Sequence, residues 1–306
     1  MKVSLISTVK NCEGGVEQFL ASLAAQTRRP DEVIIVDGGS TDGTAERFEQ
    51  DGSITLIREP GANISRGRNI ALAAATHDLI ALTDADCILE PGWFEAIVRP
   101  LDAGADVSMG FYHPVAGGFL QGCMAAVNLP DASEIDPATF MPSGRSVAFR
   151  REAIEGAGGY PEWLPIGEDM WVDHRWRELG LDLRFAPDAV VHWRLRSGLR
   201  DTWTQYFRYA RGDAHAGMYP ERHALRFGVY AGAGLALRSH RVPPKLAALA
   251  GAAAYARTPV RRAWQRFEDT GERVRATAAV PALMFWIDTA KIAGCAAGLA
   301  DRARRQ

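Results

Sequence analysis

The chain has 306 residues, 47% hydrophobic and 24% charged, enough apolar side chain for a large core and too balanced for a disordered segment. Four scattered cysteines, Cys12, Cys87, Cys123 and Cys295, show no C-x-x-C spacing, and the opening MKVSLIS lacks a charged, apolar leader pattern, so a secreted disulfide scaffold is disfavoured. The net charge of −2 conceals an asymmetry: residues 241–306 carry 12 basic against 5 acidic side chains, while residues 1–240 stand at −9, a poor sign for binding nucleic acid.

Lys2–Thr8 (KVSLIST) reads as a strand, and Glu13–Ala25 places Val16, Phe19, Leu20 and Leu23 at helical spacing. Glu32–Asp37 (EVIIVD) is the near-continuous β-branched run of a parallel strand covered on both faces. It ends at the loop Gly38-Gly39-Ser40-Thr41-Asp42-Gly43-Thr44, where glycine permits tight turns and a helix begins near Thr44. Ser53–Arg58, a helix over Arg66–Ala75, and a strand Asp78–Thr83 complete a βαβαβ alternation, the pattern of a doubly wound α/β sheet. Further on, Ala105–Tyr112 and Arg145–Phe149 read as strands and Gly117–Ala126 as a helix over the sheet. Asp169–Leu179 is an amphipathic helix with Met170, Val172, Trp176 and Leu179 as candidate buried positions. Leu183–Ala186 and Val190–Trp193 read as two edge strands, and Leu199–Ala210 as a helix. From Leu225 the pattern turns to Ala-rich helices separated by Pro243-Pro244, Pro259 and Pro281, which places a boundary near residue 220: an α/β domain at 1–220 and a helical region at 221–306.

Asp84-Ala85-Asp86 follows an apolar strand directly, so two carboxylates stand at the carboxyl edge of the sheet, where ligands of open α/β folds collect. Hard oxygen donors there suit Mg²⁺ or Mn²⁺, whose remaining ligands come from water and a diphosphate. Taken alone, D-x-D is equally a solvated turn. The Asp37 loop lacks the order of a phosphate-gripping P-loop, and no G-x-G-x-x-G supports a dinucleotide.

Together, Thr8, Val36-Asp37-Gly38-Gly39-Ser40, Arg66-Gly67-Arg68-Asn69, Asp84-Ala85-Asp86 and Gly167-Glu168-Asp169 resemble family 2 glycosyltransferases of the GT-A fold, over roughly residues 1–215. The resemblance implies a Rossmann-like, mostly parallel central sheet with flanking helices. It implies metal-dependent, inverting transfer of a sugar from a UDP- or GDP-linked donor to an acceptor hydroxyl. Thr8, Asp37 and Gly39 would meet the base and ribose; Asp84, Ala85 and Asp86 would meet the ribose and the metal. Arg66 and Arg68 offer guanidinium forks for phosphate oxygens. Asp169 is the candidate base and Glu168 its orienting neighbour, although two acids opening a helix are also favoured by its dipole. His192 matches a position that can ligate the metal, and Arg208 and Arg211 lie in a segment that can cover the donor phosphates. Gly38 departs from the family, standing where a second acid is common.

Leu246–Ala256 and Ala276–Ile287 are apolar stretches of about a dozen residues, flanked by arginines and too short to span a bilayer. Lying along headgroups, they would make a peripheral contact at the cytoplasmic face of the membrane, where lipid-linked or surface-glycan acceptors are met. The competing arrangement packs them on the catalytic domain or on a second subunit of a homodimer. Two other functions fit parts of the pattern: a nucleotidyltransferase, which usually opens with a glycine-rich basic loop absent from Thr8–Cys12, and a nucleotide-sugar binder without catalysis.

Overall fold

The computed structural model describes residues 1–305. Along the chain run β1 (Val3–Val9), α1 (Glu13–Ala24), β2 (Glu32–Asp37), α2 (Thr44–Glu49), β3 (Thr55–Arg58), α3 (Ile64–Ala74) and β4 (Leu79–Leu82). Next come β5 (Ile88–Leu89), α4 (Trp93–Asp102), β6 (Val107–Val115), α5 (Phe119–Asn128), β7 (Val147–Arg150), α6 (Arg151–Gly156), α7 (Glu168–Glu178) and β8 (Leu183–Arg194). Four helices follow: α8 (Leu199–Ala216), α9 (Pro220–Arg238), α10 (Val242–Arg266) and α11 (Thr270–Arg305).

The chain divides into two compact units, Met1–Val115 with Asp131–Arg194, and Ala116–Pro130 with Leu195 onward. This differs from the expected division at 220. α8 packs along α11, and α5 packs against α10 and α11, so both helices belong to the helical unit. The helix expected near residue 120 belongs to the helical unit.

The first unit is an eight-stranded sheet in the order β3-β2-β1-β4-β7-β6-β8-β5. β1, β2, β3 and β4 are parallel, with β4 and nearly all of β2 buried residue after residue as strands covered on both faces are, and β7 turns the sheet antiparallel on both its sides. Its core joins Ile6, Ile34, Ile80 and Leu82 of the sheet to Trp176 of α7. Buried indoles are satisfied: Trp176 Nε1 donates to the Ala153 carbonyl at 3.0 Å, and Trp93 Nε1 to Ser146 Oγ at 2.9 Å. In α7, Val172 and Trp176 are buried as expected, whereas Leu179 lies past the helix end and is 45% exposed. The two expected edge strands are one strand, β8, and it is internal, between β6 and β5. A register shift opposite Met109/Phe111 absorbs the polar interruption that made it read as two.

In the helical unit, Pro243-Pro244 stand in the first turn of α10 and separate it from α9 as expected, but the other two prolines do not end a helix. Pro259 sits inside α10 and Pro281 inside α11; packing holds both helices through the lost hydrogen bond. The two short apolar stretches are thus parts of longer helices. Among the described residues, α11 alone is long and apolar enough to cross a membrane by length and composition, with 44% of its most apolar window buried inside the structure. Its seam with α8 is made by glycines. A Cβ on Gly294 would strike the Phe207 carbonyl, and one on Gly298 the Arg211 carbonyl, so the helices touch backbone to backbone. On another face Asp288, 1% exposed, accepts from Arg226 Nε at 3.0 Å, Tyr230 Oη at 2.9 Å and Tyr255 Oη at 3.0 Å, tying α9 and α10 to α11.

Gly298→Val therefore overpacks a seam with no room to give. Thermal melts should show a loss of about 1–3 kcal/mol or more, whereas substitution at Gly232, which has open space around it, should cost nothing from crowding.

Candidate active site

Strand order reverses beside β1, so the carboxyl ends of β1 and β4 bound the crevice where an open α/β sheet receives ligands. Register brings the tips together: Val9 lies opposite Asp37, and Thr8 opposite Val36. Thr8 is half-buried beneath α3, whose Gly67 carries no side chain because a Cβ there would stand 2.7 Å from Thr8 Cγ2. Asp37 is 2% exposed and turned into its own loop, accepting from the Gly39 N–H at 3.0 Å and from both the N–H and hydroxyl of Ser40. It therefore shapes the loop that carries Gly39, whose φ of 90° suits glycine. The departure at Gly38 has a steric cause: a Cβ would lie 2.8 Å from the Ala62 carbonyl oxygen, so no side chain, acidic or otherwise, fits.

The centre of the site is Arg68, only 3% exposed. Its Nη1 donates to Glu168 Oε1 at 2.8 Å and its Nη2 to Asp84 Oδ1 at 3.3 Å, while its face covers the Tyr160 ring at 5.1 Å. Gly144 makes room for this guanidinium, since a Cβ there would strike Nη2. The expected phosphate fork is thus spent on two carboxylates, one from D-A-D and one from E-D. Arg66, two residues earlier and on the outer face of the helix, is exposed and paired with Glu59 Oε1 at 2.6 Å. Sequence reasoning passed over Arg145 and Tyr160. Arg145 Nε lies 3.8 Å from Asp84 Oδ2, with its guanidinium 4.1 Å over the Trp193 ring. No local pattern marks either residue, because their partners are far along the chain.

Gly167, at φ 85°, precedes α7 and delivers Glu168 and Asp169 into its first turn, where the positive end of the helix favours acids. Asp169 is half-buried; its Oδ1 accepts from the Met170 N–H at 2.9 Å and its Oδ2 from the Gly144 N–H at 3.3 Å. Glu168 is 4% exposed. Burial pushes its carboxyl up to about 7, against the pull of Arg68 and with a further push from Asp169.

Asp84 already faces two guanidinium groups, whereas Asp86 is exposed beyond the buried Ala85. His192, the other expected ligand, has its Nε2 3.0 Å from Glu90 Oε1 and its ring 6.1 Å from that of His113, tilted by 38°. Among the described residues no group of three or more His, Cys, Asp or Glu side chains could hold a metal ion. The donor set therefore fits a hard cation only as a shared site, with Asp86 supplying oxygen and a ligand supplying the rest. Arg208 and Arg211 lie on α8 of the helical unit, where Arg211 Nε is 2.6 Å from Asp301 Oδ2.

Residues 4–155 match the model of glycosyl transferase family 2. A pre-mycofactocin glycosyltransferase of Mycobacterium tuberculosis is 30% identical over 235 residues, covering 69% of this chain and 46% of that protein. The chain spans about half the length of these mycobacterial relatives. Among solved structures, the mannosyltransferase PcManGT of Pyrobaculum calidifontis, in complex with GDP-Man and Mn²⁺, superposes with a TM-score of 0.58 at 20% identity, covering 98% of this chain and 87% of that one. Staphylococcus aureus TarS residues 1–349, in complex with UDP, gives 0.52 at 17% identity, covering 100% and 92%. These likenesses establish the GT-A fold.

The buried glutamic acid has a measurable consequence. Its folded carboxyl keeps a proton up to about 7, while the unfolded one releases it in the ordinary carboxylate range. The stability this adds is full below that ordinary range and lost as pH rises through 7. Thermal melts between about pH 5 and pH 8 should show the advantage of the natural protein over Glu168→Gln shrinking; a gap that widens with pH contradicts a protonated Glu168.

Proposed function

The chain belongs to glycosyl transferase family 2, and on that premise we propose that it is an enzyme moving a sugar from a nucleoside-diphosphate donor to an acceptor hydroxyl, with inversion at the anomeric carbon. The observation that carries the reading is the Arg68 bridge. One guanidinium grips Asp84 and Glu168, so the donor-side and acceptor-side acid motifs meet at one point of the sheet edge.

The nucleotide lies at the crevice formed by Thr8, the Asp37–Gly39 loop and Asp84-Ala85-Asp86. UDP and GDP donors are both supported by the ligands of the related structures. Asp86, backed by Asp84, would hold Mg²⁺ or Mn²⁺ jointly with the donor's phosphate oxygens, and a cation there draws charge from the departing diphosphate. The acceptor oxygen attacks the anomeric carbon on the face opposite the diphosphate, and the bond from that carbon to the phosphate oxygen breaks. Asp169 takes the acceptor proton, with its oxygens aimed by the N–H groups of Met170 and Gly144. Glu168, fixed by Arg68, sets the position of the helix start on which Asp169 rides. The acceptor is lipid-linked or part of a surface polysaccharide. Supporting this, α9 and α10 expose Leu225, Leu235, Leu246 and Leu249 among Arg238, Arg241, Lys245 and Arg257, an apolar and basic surface suited to the anionic cytoplasmic face of a membrane.

Nucleotide sugars should raise the melting temperature in a Mn²⁺-dependent way, since a ligand at 100 times its Kd adds about 2.7 kcal/mol. Asp169→Asn should keep that shift and lose transfer by about 10²-fold or more. A flat response to every UDP- and GDP-sugar counts against the assignment. Separately, the full chain should float with vesicles containing phosphatidylserine and lose most of that flotation at high salt or as Leu246→Glu/Leu249→Glu; a protein that never floats removes the membrane contact.

A further inference from the structure

One buried acid is left over from this chemistry. α7 places Asp173 four residues after Asp169, so both carboxyls project from the same face of the helix. Asp173 is 2% exposed, and its Oδ2 has no hydrogen-bond partner among the described residues. Both acids line one small cavity of about 10 Å³, the space of a single water, whose walls include Ser143, Gly144 and Tyr160.

The charges around Asp173 decide its state. Arg68, from α3, is committed to Glu168 and Asp84. Arg177, one turn on in α7, donates to the carbonyls of Ala138 and Phe140. Tyr160 presents a phenol, and Asp169 presents a like charge. A carboxylate buried without a cation of its own is costly, and burial followed by Asp169 holds the Asp173 carboxyl well above the usual range. A neutral carboxyl carries one O–H, and that donor needs an acceptor. Each Asp169 oxygen accepts a backbone N–H and still has a lone pair to offer.

We propose that Asp173 is the positioning residue for Asp169: its O–H donates through one water in the shared cavity to the Asp169 carboxylate and fixes the rotamer from which Asp169 takes the acceptor proton. This deepens the reading of Asp169 as the base and rests on it. No proton is transferred in net to or from Asp173; the acceptor proton ends on Asp169.

The test compares Asp173→Leu, which removes the donor, with Asp173→Asn, which keeps one. With a donor found by thermal shift, Asp173→Leu should lower kcat about tenfold at unchanged KM and move the acidic limb of the kcat–pH profile up by about one pH unit, while Asp173→Asn restores both. A residue that merely fills space would move neither. Independently of turnover, carboxyl ¹³C NMR of the aspartate-labelled full chain should show Asp173, assigned by its loss in Asp173→Asn, still protonated at neutral pH. The Asp169 titration should move up in Asp173→Leu alone. If Asp173→Leu does not fold, Asp169→Asn serves in its place and should lower the Asp173 titration. Titration of Asp173 in the ordinary carboxylate range, or an Asp169 titration indifferent to the Asp173 variants, overturns the proposal. An intact NMR coupling with no turnover on any donor instead overturns the assignment of Asp169 as a base.

Discussion

A single buried guanidinium organises this protein's site. Arg68 is charged, almost fully enclosed, and reaches two acids that lie 16 and 100 residues away in sequence. Removing one member of such a buried pair typically costs about 3–5 kcal/mol, because the partner is left without compensation, while replacing the whole set by apolar residues is often harmless. The cluster is therefore weak as a source of stability and strong as a locator. It fixes the turn after β4 against the first turn of α7, the two places that carry the D-A-D and E-D acids.

The supporting parts are steric. Gly67 lets α3 settle on Thr8, Gly38 lets the β2 loop pass under the Ala62 carbonyl, and Gly144 leaves space for the guanidinium. In each case the absence of a side chain allows backbone or cation to come close, and Asp37 ties the resulting loop with hydrogen bonds to its own next residues. The crevice edge is thus set by packing, the rigidity that the proposed acid–base geometry, sensitive to small displacements, needs.

How much of this was legible in the sequence depended on distance along the chain. EVIIVD, DLIALT and the helix after Gly167 were readable because their patterns are local: unbroken β-branched runs, and apolar residues at helical spacing. D-A-D and E-D were readable as acids at element ends. What joins them was not, because Arg68 reads equally well as a phosphate fork and only the fold shows that its partners are carboxylates. β8 was misread as two edge strands since Pro187 and Asp188 look like a turn when the neighbouring strand's irregularity is unknown. Pro259 and Pro281 looked like stops because the packing that carries a helix past a proline is tertiary. Asp173 gave no signal at all, being one charged residue in a helix full of them.

The helical unit is held by a different device, and its arrangement has a mechanical consequence. Arg226 and Tyr230 of α9 and Tyr255 of α10 all terminate on the one carboxyl group of Asp288 in α11. Two outer helices moored to the same post cannot be lifted off one at a time without loosening the other's line. Under a pull from outside they come away, or hold, as one piece.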